Sequence, residues 1–324
     1  MDDRAAFWAD KAKDVHWFKP YDKVLQADDI RFPKWFVGGQ INVCYNAIDR
    51  HIDAGRGDQP AVHFESSYTS SQGTWTFNQM REKVGRLAAV MKNKFGIKPG
   101  DRVLIYMPMI PETTVAALAC ARIGATHALV FGGFAAPEVA NRVDGCQPKL
   151  ILTASMGIEP SKKIDYLAVI NDSLKLCQKY PNAEKIPKLF FDRPELDGEL
   201  RASKTYTDDP TYFDMAEEVA KETEIAEAEK LDANHPLYIL YTSGTTGDPK
   251  GMVRDHGGTT VALNYAFNVT YDFHPGKNFF GAADLGWIVG HSCILYASLI
   301  RGTSTVIFEG KPIVPDAGIL WKII

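Results

Sequence analysis

The residues best suited to chemistry form a single run. Thr242-Ser243-Gly244-Thr245-Thr246-Gly247-Asp248-Pro249-Lys250-Gly251 places three glycines, three threonines, a serine and a lysine within ten positions. Glycines let backbone N–H groups turn toward an anion, and hydroxyls add donors without bulk. Lys250 adds a point charge at the far end. The run follows the apolar Leu237 to Tyr241, which reads as a strand. Open α/β sheets bind ligands beyond the carboxyl ends of their strands, so the run reads as a phosphate cradle. The competing reading is a turn of the same composition with no ligand. A Walker loop is excluded, because Pro249 and not glycine precedes Lys250.

Such a loop needs a sheet to hold it, and the flanking sequence supplies one. Met80, Val84, Leu87, Ala88 and Met91 step by three and four, the spacing of an amphipathic helix. Arg102 to Met107, Thr126 to Phe131, Lys149 to Thr153, Lys188 to Phe191, Asn278 to Ala283 and Thr303 to Phe308 read as further strands. Between them, Pro111 to Ile123, Pro137 to Val143, Ile164 to Gln178 and Thr259 to Phe267 read as helices. The alternation predicts an α/β fold, with largely parallel sheets and helices on both faces. Residues 1–60 are irregular and rich in aromatics, among them Trp8, Trp17, Tyr21, Trp35 and Phe36, which are expected to wrap the segment onto the main body. Residues 193–232 are acidic and are expected to form a solvated loop followed by a surface helix, a protein-binding face being the alternative.

Composition narrows the function classes. The chain has 324 residues, 45% hydrophobic and 23% charged, which excludes wholesale disorder. A net charge of −4 gives no general attraction to nucleic acid or to an anionic membrane. No run reaches about 18 apolar residues, so no membrane span is expected. Cys44, Cys120, Cys146, Cys177 and Cys293 are scattered without a CxxC, which argues for free thiols in a reducing compartment and against a zinc site. No targeting signal is visible, so cytoplasm is expected, or mitochondria if the amino terminus is incomplete. The chain stops at Leu320-Trp321-Lys322-Ile323-Ile324, inside an apolar helix-like pattern, which reads as a truncation.

The run YTSGTTGDPKG resembles the signature loop of the AMP-forming acyl-adenylating enzymes, the acyl-CoA synthetases and their relatives. Lys34 to Arg50 resembles the amino-terminal extension of the short-chain branch, the acetyl- and propionyl-CoA synthetases. Phe131-Gly132-Gly133-Phe134 looks like that branch's turn beside the pantetheine of CoA. Ala283-Asp284-Leu285-Gly286-Trp287-Ile288-Val289-Gly290-His291-Ser292 looks like its acyl-pocket signature, and Phe308-Glu309-Gly310-Lys311-Pro312 follows at the expected distance. Gly157-Ile158-Glu159-Pro160 and Val289 resemble the propionate type; acetate-type members usually carry arginine and threonine at positions 159 and 289. One wall position discriminates weakly, since a methylene is worth only about 1–3 kcal/mol in an apolar pocket.

The resemblance implies a division into an extension over 1–62 and a partial adenylation domain over 63–324. It implies that Thr242, Ser243, Gly244, Thr245, Thr246, Gly247 and Lys250 hold the phosphates of ATP, with Lys250 the catalytic residue and Asp248 facing solvent. Gly132, Gly133 and Phe134 would line the CoA site, and Trp287, Ile288 and Val289 the acyl pocket. ATP would bring Mg²⁺, CoA would be the second substrate, and no protein metal ligand is assigned. The implied reaction turns a short carboxylic acid, propionate before acetate, into its adenylate and then its CoA thioester. His291 is open between a structural histidine and a pocket residue, and it is given no acid–base role. Asp284 and Glu309 read as turn and helix-end residues, and Lys162 and Lys163 as an exposed pair. The adenine and ribose segments and the small lid domain are expected to be missing, so a non-catalytic fragment of such a ligase stands as the alternative.

Overall fold

Two sheets rich in parallel strands organise the chain in the computed structural model, which describes residues 3–29, 31–158, 162–197, 209–242 and 249–324. The larger has seven strands in the order Tyr212–Asp214, Lys188–Phe191, Leu150–Ala154, Arg102–Tyr106, Thr126–Val130, Pro236–Thr242 and Lys250–Asp255. Every pairing in it is parallel except the last, where Lys250–Asp255 folds back on Pro236–Thr242. The smaller runs Asn278–Phe280, Ser304–Glu309, Pro60–Ser66 and Gln72–Thr76, with only the last pair antiparallel.

The strands of the large sheet are apolar on both faces because helices cover both. Val103 and Ile105 point into the layer of helices Phe77–Asn93 and Pro111–Arg122, whereas Leu104 and Tyr106 point into that of Ala136–Cys146 and Tyr166–Leu176. Helix Phe77–Asn93 buries Met80, Val84, Leu87, Ala88 and Met91, the face its spacing predicts. A reciprocal cap starts it, with the Gln79 amide donating to Thr76 Oγ1 (3.2 Å) and the Thr76 amide to Gln79 Oε1 (2.8 Å).

Sequence and structure differ where strands lack an apolar signal. Gln72–Thr76 is a polar edge, Lys250–Asp255 is exposed along nearly its whole length, and Pro60–Ser66 is interrupted by His63. None of the three shows the apolar run that marks the buried strands. Ile164 belongs to a short strand, Lys163–Asp165, and the helix begins at Tyr166, where Asp165 accepts from the Ala168 amide (2.9 Å). The acidic stretch is only partly a solvated loop. It contains helix Met215–Lys221, and its backbone then docks on the core, with the Glu229 amide bonded to the Arg122 carbonyl (2.8 Å) and Glu218 paired to Lys94 (2.6 Å).

The amino-terminal aromatics do wrap onto the body. Trp8, Trp17, Tyr21 and Trp35 pack around Phe36 and Ile41, together with Ala233 and Val261 of the later chain. Below them Asn42 acts as a junction. Its Nδ2 lies 3.1, 3.0 and 3.0 Å from the carbonyls of Ala121, Arg122 and Glu229, and its Oδ1 accepts from the Cys44 amide (2.8 Å). Beside it, fully buried Arg122 grips Asp49 through two bonds of 2.8 and 3.0 Å.

The two sheets are tied by a second buried pair. Glu309 is not a helix end; it closes strand Ser304–Glu309 and is 3% exposed. Both its oxygens accept from Arg193, and Ser66 Oγ donates to Oε2 (2.8 Å). Without Glu309, Arg193 keeps only the half-exposed Glu195 (3.0 Å) as counter-charge and loses its two buried bonds. Glu309→Ala is therefore expected to lower the unfolding free energy by about 1.5–3 kcal/mol, the scale of hydrogen bonds to charged groups. Urea denaturation measures this, and a loss below about 1 kcal/mol, the scale of a surface pair, would contradict it.

Candidate active site

Neighbouring strands deliver both motif turns to one edge of the large sheet. Pro236–Thr242 runs beside Thr126–Val130 in parallel, with Tyr238 opposite His127. The first strand ends at the foot of the Gly/Thr-rich loop, and the second ends in Phe131-Gly132-Gly133-Phe134. Thr242 and Lys250 face each other across the hairpin, and Thr242 Oγ1 lies 3.5 Å from the Lys250 carbonyl. Lys250 thus opens the return strand at the loop's far foot. Ser243, Gly244, Thr245, Thr246, Gly247 and Asp248, like Glu159 and Pro160, lie outside the described residues.

The glycine turn is shaped by close approach. A Cβ at Gly132 would overlap the Tyr166 hydroxyl and lie 3.1 Å from the Met107 carbonyl, so no side chain fits. Gly133 is exposed. The Phe134 carbonyl accepts from Tyr106 Oη (2.7 Å), and its amide closes the turn on the Phe131 carbonyl (3.1 Å).

Trp287 comes to the same place, whereas Ile288 lines a separate groove with Tyr238 and Val253. Asp284 Oδ1 accepts from the Gly286 amide (2.7 Å), so Asp284 is a turn residue. A Cβ on Gly286 would sit 2.6 Å from Phe131 Cα; glycine there lets the segment lie against the glycine turn. The Trp287 ring then stands 5.8 Å from that of Phe131 and 6.1 Å from that of Phe134. Of the residues read as acyl wall, Trp287 thus packs against the turn read as the CoA site. The wall is open on its other side: Trp287, Ile288 and Val289 are 49%, 45% and 50% exposed.

His291 is a buried structural residue. Its Nδ1–H donates to the Trp287 carbonyl (3.3 Å), and its ring stacks on His127 (5.6 Å, 15°) and packs on Tyr238 (4.9 Å). His127 in turn bonds the Tyr296 hydroxyl (2.6 Å). His291 Nε2 and His127 Nδ1 are buried without a partner. Burial pulls His291 down to about 4 and His51 and His256 to about 3, and drives His127 well below its ordinary value. All four are neutral at physiological pH.

Several contributors carried no signal in the sequence. Tyr106 is the last residue of an apolar strand, and Phe131, though part of the glycine-turn motif, gives no sign there of its packing against Trp287. Gly286 could have been found, since a glycine beside tryptophan in a motif invites a close approach. Among the described residues no group of three His, Cys, Asp or Glu side chains could hold a metal ion, and no helix is long and apolar enough to cross a membrane.

The described residues bring the foot of the Gly/Thr-rich loop, a glycine turn at the neighbouring strand and the Trp287 ring to one end of a parallel sheet. Comparison with known proteins supplies the class. The family described as "AMP-binding enzyme" matches residues 49–324, and "Acetyl-coenzyme A synthetase N-terminus" matches residues 1–47. The chain belongs to the AMP-binding enzyme family, and its relatives are short-chain acyl-CoA synthetases. It is 44% identical to the mitochondrial acyl-CoA synthetase short-chain family member 3 of Bos taurus over 99% of this chain and 45% of that protein. It is 39% identical to the propionate–CoA ligase of Salmonella typhimurium, over 98% of this chain and 49% of that one. The acetoacetyl-CoA synthetase from Streptomyces lividans matches 100% of this chain and 47% of its own, with a TM-score of 0.86 at 26% identity. The chain thus spans about half the length of the relatives it matches. The fold is that of the amino-terminal part of the acyl-CoA synthetases, whose members use ATP and CoA.

The buried imidazoles set a pH dependence. Each is neutral in the fold, whereas an unfolded histidine takes a proton near 6.5. Their contribution is fully present above pH 6.5 and is lost as pH falls toward the folded values, by about 1.4 kcal/mol per group for each pH unit. Stability measured by denaturant is expected to fall steeply from pH 7 to pH 5.5, before carboxylates titrate. A flat profile across that window would show that the imidazoles are not buried neutral.

Proposed function

We propose that this chain carries the amino-terminal share of an AMP-forming acid–CoA ligase for a short-chain acid, with propionate preferred over acetate. The observation that carries the reading is the meeting of three turns at one sheet edge, with Trp287 against Phe131 and Phe134 beside the hairpin of Thr242 and Lys250. In this reading residues 1–62 form the extension and 63–324 a partial adenylation domain; the two family matches meet earlier, at residues 47 and 49.

The chemistry asks the chain for placement and charge. The acid's carboxylate, already ionised, attacks the α-phosphorus of ATP and expels pyrophosphate. The CoA thiolate then attacks the acyl-adenylate and expels AMP. Loop amides, the hydroxyls of Thr242, Ser243, Thr245 and Thr246, and the Lys250 ammonium would hold the departing pyrophosphate, a role for preorganised donors and cations. Gly132, Gly133 and Phe134 would bound the thiol's approach, with Trp287, Ile288 and Val289 as the acyl wall. With no metal cage among the described residues, Mg²⁺ would arrive on the triphosphate and neutralise its charge. The half-exposed wall favours a second reading for the 324 residues on their own, a non-catalytic piece, because an acyl-adenylate needs water excluded. The relatives named mitochondrial favour mitochondria over cytoplasm for the whole protein.

Two experiments on the whole enzyme test the reading. Lys250→Ala should slow propionate-dependent pyrophosphate exchange by about 100-fold or more, the scale for losing one preorganised charge stabiliser, while the fold is retained. An unchanged rate removes Lys250 from the chemistry. Val289→Thr should narrow the propionate-to-acetate ratio of kcat/KM, because a hydroxyl in an apolar wall costs about 1–3 kcal/mol unless it finds a partner. A parent enzyme that already favours acetate tenfold would refute the propionate assignment.

A further inference from the structure

One cation stands between the glycine turn and the foot of the phosphate loop. Arg142 lies on helix Ala136–Cys146 and is 7% exposed. Its guanidinium carbon is 4.6 Å from the centroid of the Phe134 ring and 5.9 Å from that of Tyr241. Its own helix fixes its heading: Nη1 donates to Glu138 Oε2 (2.6 Å) and to the Glu138 carbonyl (2.7 Å). Tyr241 directly precedes Thr242, and its ring fills a slot made by two glycines. A Cβ at Gly145 would approach Tyr241 Oη to 2.6 Å, and one at Gly251 would approach its ring to 3.3 Å. On the other side Phe134 is held by Tyr106 and faces Trp287. The contacts thus run without a gap from Trp287 through Phe134 and Arg142 to Tyr241.

We propose that Arg142 is a positioning residue that holds the Phe131–Phe134 turn in register with the strand carrying the phosphate loop. A flat, delocalised cation attracts two ring faces at once. A lysine offers a compact, strongly hydrated ammonium in its place. The names given to the two segments, CoA turn and phosphate loop, rest on the function proposed above; their mechanical coupling does not.

Amide hydrogen exchange on the 324-residue chain reads the coupling directly. Arg142→Met removes the cation and leaves Glu138, which is 49% exposed, in contact with solvent, so no buried charge is stranded. Exchange is expected to rise about tenfold both in residues 131–134 and in the strands flanking the loop, with the rest of the chain unchanged. Arg142→Lys should move the same two segments by less, and it carries the test if the methionine variant fails to fold. Faster exchange in one segment only, or in neither, at unchanged Tm overturns the positioning role. Titration of the parent and both variants with CoA and with inorganic pyrophosphate separates the two ideas. Loss of affinity for both ligands in the variants supports the coupling and the functional names together. A parent that binds neither, while exchange rises in both segments of the variants, overturns the names and supports the coupling.

Discussion

Parallel pairing is the constraint on which the arrangement depends. A strand buried on both faces must satisfy its backbone through its neighbours, and parallel neighbours end at the same edge. Thr126–Val130 is such a strand, with every residue buried and partners on both sides. Its partners fix where Phe131 and Thr242 emerge before any ligand-binding group is in place. Those groups are then brought together by side-chain absence more than presence. Gly132 and Gly286 allow backbone and ring to touch where a methyl group would not fit.

The amino-terminal segment is tied to this edge from behind. Arg122 ends the helix that follows Arg102–Tyr106, and it is held by Asp49 while its backbone meets the acidic stretch at Glu229. Arg193 and Glu309 make the equivalent tie between the two sheets. Both are ion pairs taken out of water, which rewards the complete pair modestly and penalises half of it severely. Each pair thus joins segments far apart in the chain, Asp49 to Arg122 and Arg193 to Glu309.

Much of this was legible in the sequence, and the reasons are local. The buried strands are apolar runs bounded by turns, so Arg102–Tyr106 and Lys188–Phe191 lie where periodicity puts them. The strand Lys250–Asp255 was hidden because an edge strand exposed along its length has no alternation to show. Glu309 reads like a polar terminus until its partner is known, and that partner lies 116 residues away. The candidate site was legible as motifs. The contact of Trp287 with Phe131 and Phe134 was not, because no spacing in a sequence reports a distance across 150 residues of intervening chain.

Asn42 has a consequence for how the molecule ages. One side-chain amide serves three carbonyls, from the helix end and the acidic stretch, while its oxygen caps the next turn. Asparagine is among the thermolabile residues, and its hydrolysis to aspartate exchanges the only N–H donors for a negative oxygen. In the fold the residue is fully buried and braced on every side, which denies the backbone the freedom that deamidation requires. Once the chain opens, that shelter is gone, and a deamidated copy returns to a junction where a charge faces three carbonyls. The junction therefore relies on the fold to keep its own amide intact, and the time the chain spends open is the time in which that amide can be lost.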